Sequence, residues 1–292
     1  MPDAPRRGAT LSDSETTWSA TNMPRPIDLM TSWLRAQLAP DAWSWLATQR
    51  ERLEGGSASG REFNLAVSLV PRRLGKADLV LDGAALAEAD RARPGWDPRG
   101  WSVDQAGRLV LLLAGGGTGR VFAERLRQLL VTADIAETIA FHRGLPLYPD
   151  PELVEPRARE GVRSAMQPVF EAVAHRNPYP AEYFVEDAWN QMVVKALFIG
   201  STLAPIQGLD RRANQALARM LCDYARERRA AGRPVSPELW RCVGPHANDA
   251  ALEDLAVALD SADPAERDAA AAALATCDRP RARALLERTM AR

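Results

Sequence analysis

Apolar residues recur at helical spacing along most of this chain. Met30, Trp33, Leu34 and Leu38 follow an i, i+3, i+4, i+8 pattern, which places them on one stripe of a helix. The composition agrees, because the 292 residues include 51 alanines and only five isoleucines. Alanine is the strongest helix former, whereas strands favour β-branched residues. The sequence therefore predicts an all-α fold, a single compact domain of about ten helices.

The two ends of the chain differ from its middle. Residues 1–26 are rich in Pro, Ser, Thr and Arg and contain no apolar run, which predicts a disordered tail and not a secretory signal. Residues 27–292 show no sharp change of composition, so we expect one helical domain. Near its end, Asp263 and Pro264 are typical of an N-cap and a first helical position. Followed by an Ala/Leu run, this start predicts HEAT-like terminal helices over residues 249–292.

Charge, hydropathy and cysteine content exclude several functional classes. With 37 basic against 38 acidic residues, the chain has no basic excess and is not expected to bind nucleic acid. The longest apolar run, residues 109–114, is far shorter than the ~20 residues of a membrane helix, so the protein is not expected to be integral to a membrane. Three separate cysteines without a signal peptide favour the cytoplasm.

No metal or cofactor site is expected. Three cysteines and three histidines lie too far apart in the sequence for a zinc set. The glycine-rich residues 115–120 lack the Gly-Lys-Ser/Thr of a P-loop, and Arg120 stands where the dinucleotide-binding pattern needs its third glycine. We interpret this segment as a turn between helices.

A polar stripe on one apolar helix is the strongest candidate site. Residues 180–199 are predicted to form this helix, in which Asp187, Gln191 and Lys195 recur at i, i+4, i+8. The helix is apolar nearly all round, which predicts burial, and buried polar groups need partners. Charged residues after the next loop extend the set. Its members are Asp187, Asn190, Gln191, Lys195, Asp210, Arg211 and Arg212.

Three interpretations of this set stay open. It is a salt-bridge network that fixes helix packing, or the floor of a pocket that holds a small, anionic ligand through Lys195 and Arg211 or Arg212. In the third, Lys195 is a catalytic base or Schiff-base former. Secondary candidates are Arg72, Arg73 and Lys76, a basic cluster that suits either a helix C-terminus or an anion, and Glu182.

Several longer segments of the chain resemble the EboA-domain family over roughly residues 60–245. The most specific are Asn-Pro-Tyr-Pro-Ala-Glu-Tyr-Phe at 177–184, Ala-Trp-Asn-Gln-Met at 188–192 with Lys-Ala-Leu-Phe at 195–198, and Gly-Leu-Asp-Arg-Arg-Ala-Asn at 208–214. Shorter matches lie at residues 70–72, 75–76, 101–105, 143–147, 149–151, 231–235 and 237–241.

The resemblance implies a bacterial protein encoded in a small gene cluster and linked with the traffic or export of a secondary metabolite. Neighbouring genes of such clusters typically encode a membrane prenyltransferase and metal enzymes. The expected function is therefore that of a non-enzymatic accessory protein that binds a metabolite, anionic or prenylated, or a partner enzyme of its cluster. The resemblance supplies no catalytic residues.

Two alternative functions follow from the same residues. The first is a helical enzyme acting on a prenylated or cyclitol-like intermediate, with Asp187 or Glu182 as acid/base and Lys195 as an electrophilic stabiliser. The second is a scaffold that docks protein partners on its helical surface.

Overall fold

A computed structural model describes residues 24–56 and 58–290 of the chain. Residues 1–23 of the predicted disordered tail, which spans residues 1–26, therefore lie outside the described residues. The described part contains sixteen α-helices and no β-strand, which confirms the all-α prediction. The prediction of about ten helices is wrong, because short breaks divide several segments that the periodicity alone joins.

The helices follow one another with short connections. In the first half they are α1 (Pro26–Gln37), α2 (Pro40–Glu54), α3 (Gly60–Leu74), α4 (Gly83–Ala92), α5 (Val103–Gly115), α6 (Gly119–Thr132), α7 (Ile135–Arg143) and α8 (Pro151–Arg163). In the second half they are α9 (Gln167–Ala174), α10 (Tyr179–Tyr183), α11 (Glu186–Phe198), α12 (Gln215–Ala230), α13 (Trp240–Val243), α14 (Asp249–Leu259), α15 (Pro264–Ala275) and α16 (Pro280–Met290). Short 3-10 helices lie at Leu145–Leu147, Pro237–Leu239 and Gly244–His246.

Helix α5 is the centre of the N-terminal half. Helices α1, α2, α3 and α7 all pack against it. Leu109, Val110, Leu111 and Leu112 are completely buried, so the helix is enclosed on every side. The longest apolar run of the sequence is thus the core of a helical bundle, as a helix that is apolar all round requires.

The C-terminal half is built around α12 and α15. Helix α12 packs against α11, α13 and α14, and α15 packs against α13, α14 and α16. The predicted start of α15 is confirmed, since Asp263 Oδ1 accepts a hydrogen bond of 2.9 Å from the Ala265 N–H and Pro264 is the first helical residue. The HEAT-like character of residues 249–292 and their union with the rest in one domain stay predictions.

The predicted helix 180–199 is two helices in the structure, α10 and α11. The chain is extended at Phe184 and Val185, between them. The guanidinium of Arg212 lies at this break, where Nη1 donates to the carbonyl oxygens of Pro180, Ala181 and Phe184 at 3.2, 3.1 and 2.7 Å. Because a side chain satisfies these carbonyls, the helix can stop without leaving buried acceptors unpaired.

Candidate functional site

The polar stripe of α11 does not converge on one pocket. Asp187 and Gln191 are exposed, whereas Asn190 is buried. Asn190 forms a reciprocal amide pair with Asn214, at 3.2 and 2.8 Å. Asn214 in turn caps α12 by accepting a 2.8 Å hydrogen bond from the Leu217 N–H. The contacts of Asn190 therefore fix where the next helix begins.

Lys195 contacts the carboxyl end of another helix. Its ammonium group donates to the carbonyl oxygens of Val162 and Ser164 at 2.5 and 2.7 Å, at the end of α8, and lies 5.6 Å from the centre of the Phe170 ring. Within the described residues it has no carboxylate partner. Burial lowers the pKa of this lysine. The carbonyl dipoles at the helix C-terminus thus provide the negative charge that the ammonium needs. A recess of about 100 Å³ is lined by Lys195 and Gln191, together with Arg159 and Arg163, but not by Asp187 or Asn190.

Asp210, Arg211 and Arg212, which follow α11, have different surroundings and do not form one cluster. Arg212 holds the break between α10 and α11, and its guanidinium carbon lies 5.0 Å from the centre of the Trp189 ring. Burial, followed by the charge of Arg211, lowers the pKa of Arg212. Arg211 is exposed. Asp210 forms an exposed ion pair with Arg241.

The secondary candidates lie on other parts of the surface. Arg72 and Arg73 are exposed in the last turn of α3, which packs against α2 and α5, and Lys76 is exposed just beyond. Their placement in the last turn of a helix suits the macrodipole. Glu182 forms an ion pair with Arg93.

An apolar cleft in the described part of the chain has a lining suited to a small molecule. It has a volume of about 610 Å³, within the range of about 300–1,000 Å³ typical of ligand sites. One wall is a face of α15, and the other is built from the loop after α11 and from the residues around α13. The lining residues are Leu203, Ala204, Leu209, Asp210, Pro237, Glu238, Arg241, Pro245, Ala269, Ala272, Ala273 and Thr276.

Small side chains open the cleft on the α15 side. Ala269, Ala272, Ala273 and Thr276 are spaced i, i+3, i+4, i+7 and therefore form one helical stripe. Three methyl groups and one short hydroxyl-bearing side chain leave room that leucine would fill. The stripe borders the buried face of α15, which contains Ala270, Ala273 and Leu274.

The charged groups of the cleft are already paired within the protein. Glu238 accepts a hydrogen bond from the backbone N–H of Leu203 and so fixes the loop that forms one wall. At the rim, the Arg241 guanidinium binds both carboxylate oxygens of Asp210, and this hydrogen bonding raises the pKa of Arg241. The interior of the cleft is thus apolar, with an exposed bidentate ion pair at its mouth.

Of the residues that the sequence singles out as a site, only Asp210 lines this cleft. Arg241 and the α15 alanines were missed. An Ala-rich helix with a good N-cap predicts close packing, and no local signal tells an alanine that faces another helix from one that faces a cavity.

The described residues contain neither a metal-binding cluster nor a helix that could span a membrane. No group of three or more His, Cys, Asp or Glu side chains is arranged to hold a metal ion there. None of the described helices combines the length and the hydropathy needed to cross a bilayer.

Comparison with known proteins places the chain in a family. No curated protein and no solved structure matches it. The family described as "Metabolite traffic protein EboA" matches residues 26–244, which extend from the first residue of α1 to just past α13. The match covers most of the chain and includes one wall of the cleft, and the protein therefore belongs to the EboA family.

Proposed function

We propose that this protein binds an apolar metabolite in the cleft between α13 and α15 and delivers it to a partner without converting it. The observation that carries the proposal is an open cavity of about 610 Å³ with alanine, leucine and proline walls. Burial of apolar ligand surface there yields roughly 25 cal/mol per Å². The gene clusters of the family imply a prenylated compound. Its isoprenoid chain is apolar and therefore suited to pack against such walls.

The pairing of the polar groups favours binding over catalysis. Oε2 of Glu238 accepts the backbone N–H of Leu203, and Asp210 and Arg241 neutralise each other. A general acid or base needs a free position within hydrogen-bond reach of the substrate. The Asp210–Arg241 pair at the mouth is suited to contact the polar end of the ligand or the partner that receives it.

Farnesol, a C15 isoprenoid alcohol, is a suitable probe of the cleft. We expect calorimetry to show one farnesol bound per chain, and Ala272→Trp to weaken this binding at least tenfold because the indole takes up space in the cleft that the ligand needs. Ala272 is exposed, so the exchange costs only about 0.5 kcal/mol of helix propensity. The matched control is Ala275→Trp, at an exposed position of the same helix that does not line the cleft.

The control variant must bind farnesol as the wild type does. Absence of binding to the wild type, or equal affinity of the wild type and Ala272→Trp, would refute this assignment of the cleft.

A further inference from the structure

A second cavity, separate from the apolar cleft, is lined by arginines. It has a volume of about 160 Å³ and lies between α7, α9 and the segment before α5. Since 10–15 Å³ of such volume is enough for one water molecule, the cavity has room for a group of phosphate or carboxylate size. Its titratable lining residues are Asp97, Arg99, Arg143, Glu171, His175 and Arg176.

Arg143, the last residue of α7, is half-buried in this cavity without a carboxylate partner. Its Nη1 donates to Gly100 O at 2.8 Å and to Gln105 Oε1 at 2.7 Å, and both acceptors are neutral. Among the described residues nothing else hydrogen-bonds to this guanidinium. Burial and, after it, the positive charge of Arg176 lower the pKa of Arg143. Two arginines therefore repel each other across the cavity.

Arg176 is held in a conformation that non-glycine residues seldom adopt. Its φ is +49°, in the left-handed region. Its N–H donates to Pro205 O at 2.9 Å, so the loop after α11 fixes this backbone. The nearest acidic group, on Asp97, is 3.8 Å from Nε, at the outer limit of an ion pair. Strained backbone of this kind persists where the surrounding structure enforces it, and such positions cluster at ligand-binding sites.

The two carboxylates of the cavity are occupied by other partners. Asp97 binds Arg99 through both oxygens, with Nη2–Oδ2 and Nε–Oδ1 distances of 2.6 and 2.8 Å. Glu171 accepts hydrogen bonds of 2.8 Å from both Gln167 and Ser201. Burial lowers the pKa of His175, which is therefore neutral at pH 7 and adds no charge. Glu171 keeps its negative charge, because both of its partners are neutral. The three arginines of the lining (Arg99, Arg143 and Arg176) still outnumber the two carboxylates, so the formal net charge of the cavity is +1.

We propose that this cavity binds an oxyanion, a phosphate or carboxylate group, between the guanidinium groups of Arg143 and Arg176. An anion there supplies the acceptors that Arg143 lacks and removes the repulsion between the two arginines. Charge-assisted hydrogen bonds from guanidinium groups are the strongest that a protein offers to such ligands. The site does not depend on the apolar cleft, with which it shares no lining residue.

Calorimetry with inorganic phosphate, methyl phosphate and acetate tests this site. We expect one equivalent of phosphate or acetate to bind the wild type, and Arg143→Gln and Arg176→Gln each to raise the Kd tenfold or more. Arg176 is half-exposed, with only a long ion pair to lose, so its variant keeps the fold even if Arg143→Gln does not. Arg61→Gln removes an exposed arginine remote from the cavity lining and must leave the Kd unchanged.

The three probes also separate the sources of the ligand. Equal affinity for methyl phosphate and inorganic phosphate supports a headgroup attached to a larger molecule, whereas binding of inorganic phosphate alone supports the free ion. Preference for acetate assigns the site to carboxylates. Absence of binding by all three probes at 20 mM, or binding that Arg176→Gln leaves unchanged, would overturn the proposal.

Discussion

At the scale of single residues, Lys195 shows how one group is explained by its partners. It is one of only two lysines in the chain, and its position on an apolar helix predicts a carboxylate partner or a ligand. In the structure its partners are two carbonyl oxygens at the end of α8. These carbonyls belong to the last turn and the C-cap, where no helical N–H is available. The contacts of Lys195 therefore join α11 to α8.

Replacing Lys195 separates this structural role from a binding role. We expect Lys195→Met to lower the free energy of unfolding by about 1–3 kcal/mol, the cost of leaving buried carbonyl acceptors without a donor. Binding of farnesol per folded molecule stays unchanged. The matched control is Lys76→Met, at the other lysine, which is exposed and should change stability by less than about 0.5 kcal/mol. Urea denaturation measures the free energy of unfolding of the two variants. Loss of farnesol binding at unchanged stability contradicts the structural role.

His142 makes the stability of the fold depend on pH. The imidazole is buried between α7 and α8, with Nδ1 at 2.7 Å from Thr138 O, and burial lowers its pKa from 6.5. The unfolded chain thus takes up a proton near pH 6.5, whereas the folded chain does so only at lower pH. Stability from this group is complete above pH 6.5 and is lost as the pH falls through the lowered pKa.

The variant His142→Gln tests this linkage. Urea denaturation between pH 5 and pH 7.5 should show a smaller loss of stability on acidification than the wild type. Parallel pH profiles of the two proteins would show that other groups cause the acid sensitivity.

At the scale of helices, long-range contacts decide where local signals end. The caps of α15 could be predicted, because Asp263 and Pro264 act on neighbouring backbone groups. The break between α10 and α11 could not, since the residue that stabilises it, Arg212, is 28 positions away from Phe184. The apolar pattern of 180–199 is continuous, and only tertiary contact makes the extended backbone at Phe184 favourable.

Arg212 and Arg211 form a matched pair for testing this explanation. We expect Arg212→Met to cost about 2–3 kcal/mol of stability, because three buried carbonyls lose a charged donor. Arg211→Met, at the exposed neighbour, should change stability by less than about 0.5 kcal/mol. Equal effects of the two substitutions in urea denaturation would contradict the role of Arg212 at the helix break.

At the scale of the whole molecule, the cleft forms between segments that are distant in the sequence. The loop at residues 203–210 and the stripe on α15 are about sixty residues apart, and neither carries a motif that indicates the other. The sequence therefore predicts the helical class, the family and many helix ends. The cavity arises only when α13 packs against α15. The partners of Asn190 and Lys195 on α11 likewise come from segments distant in the sequence.

The most direct measurement of the central claim is mass spectrometry of small molecules released from the purified protein. The protein is expressed together with its gene neighbours, as wild type, Ala272→Trp and Ala275→Trp. We predict close to one equivalent of an apolar compound in the wild type and in Ala275→Trp, and its loss in Ala272→Trp. A wild-type protein without any bound compound, or the same compound at equal amounts in all three proteins, would contradict the account.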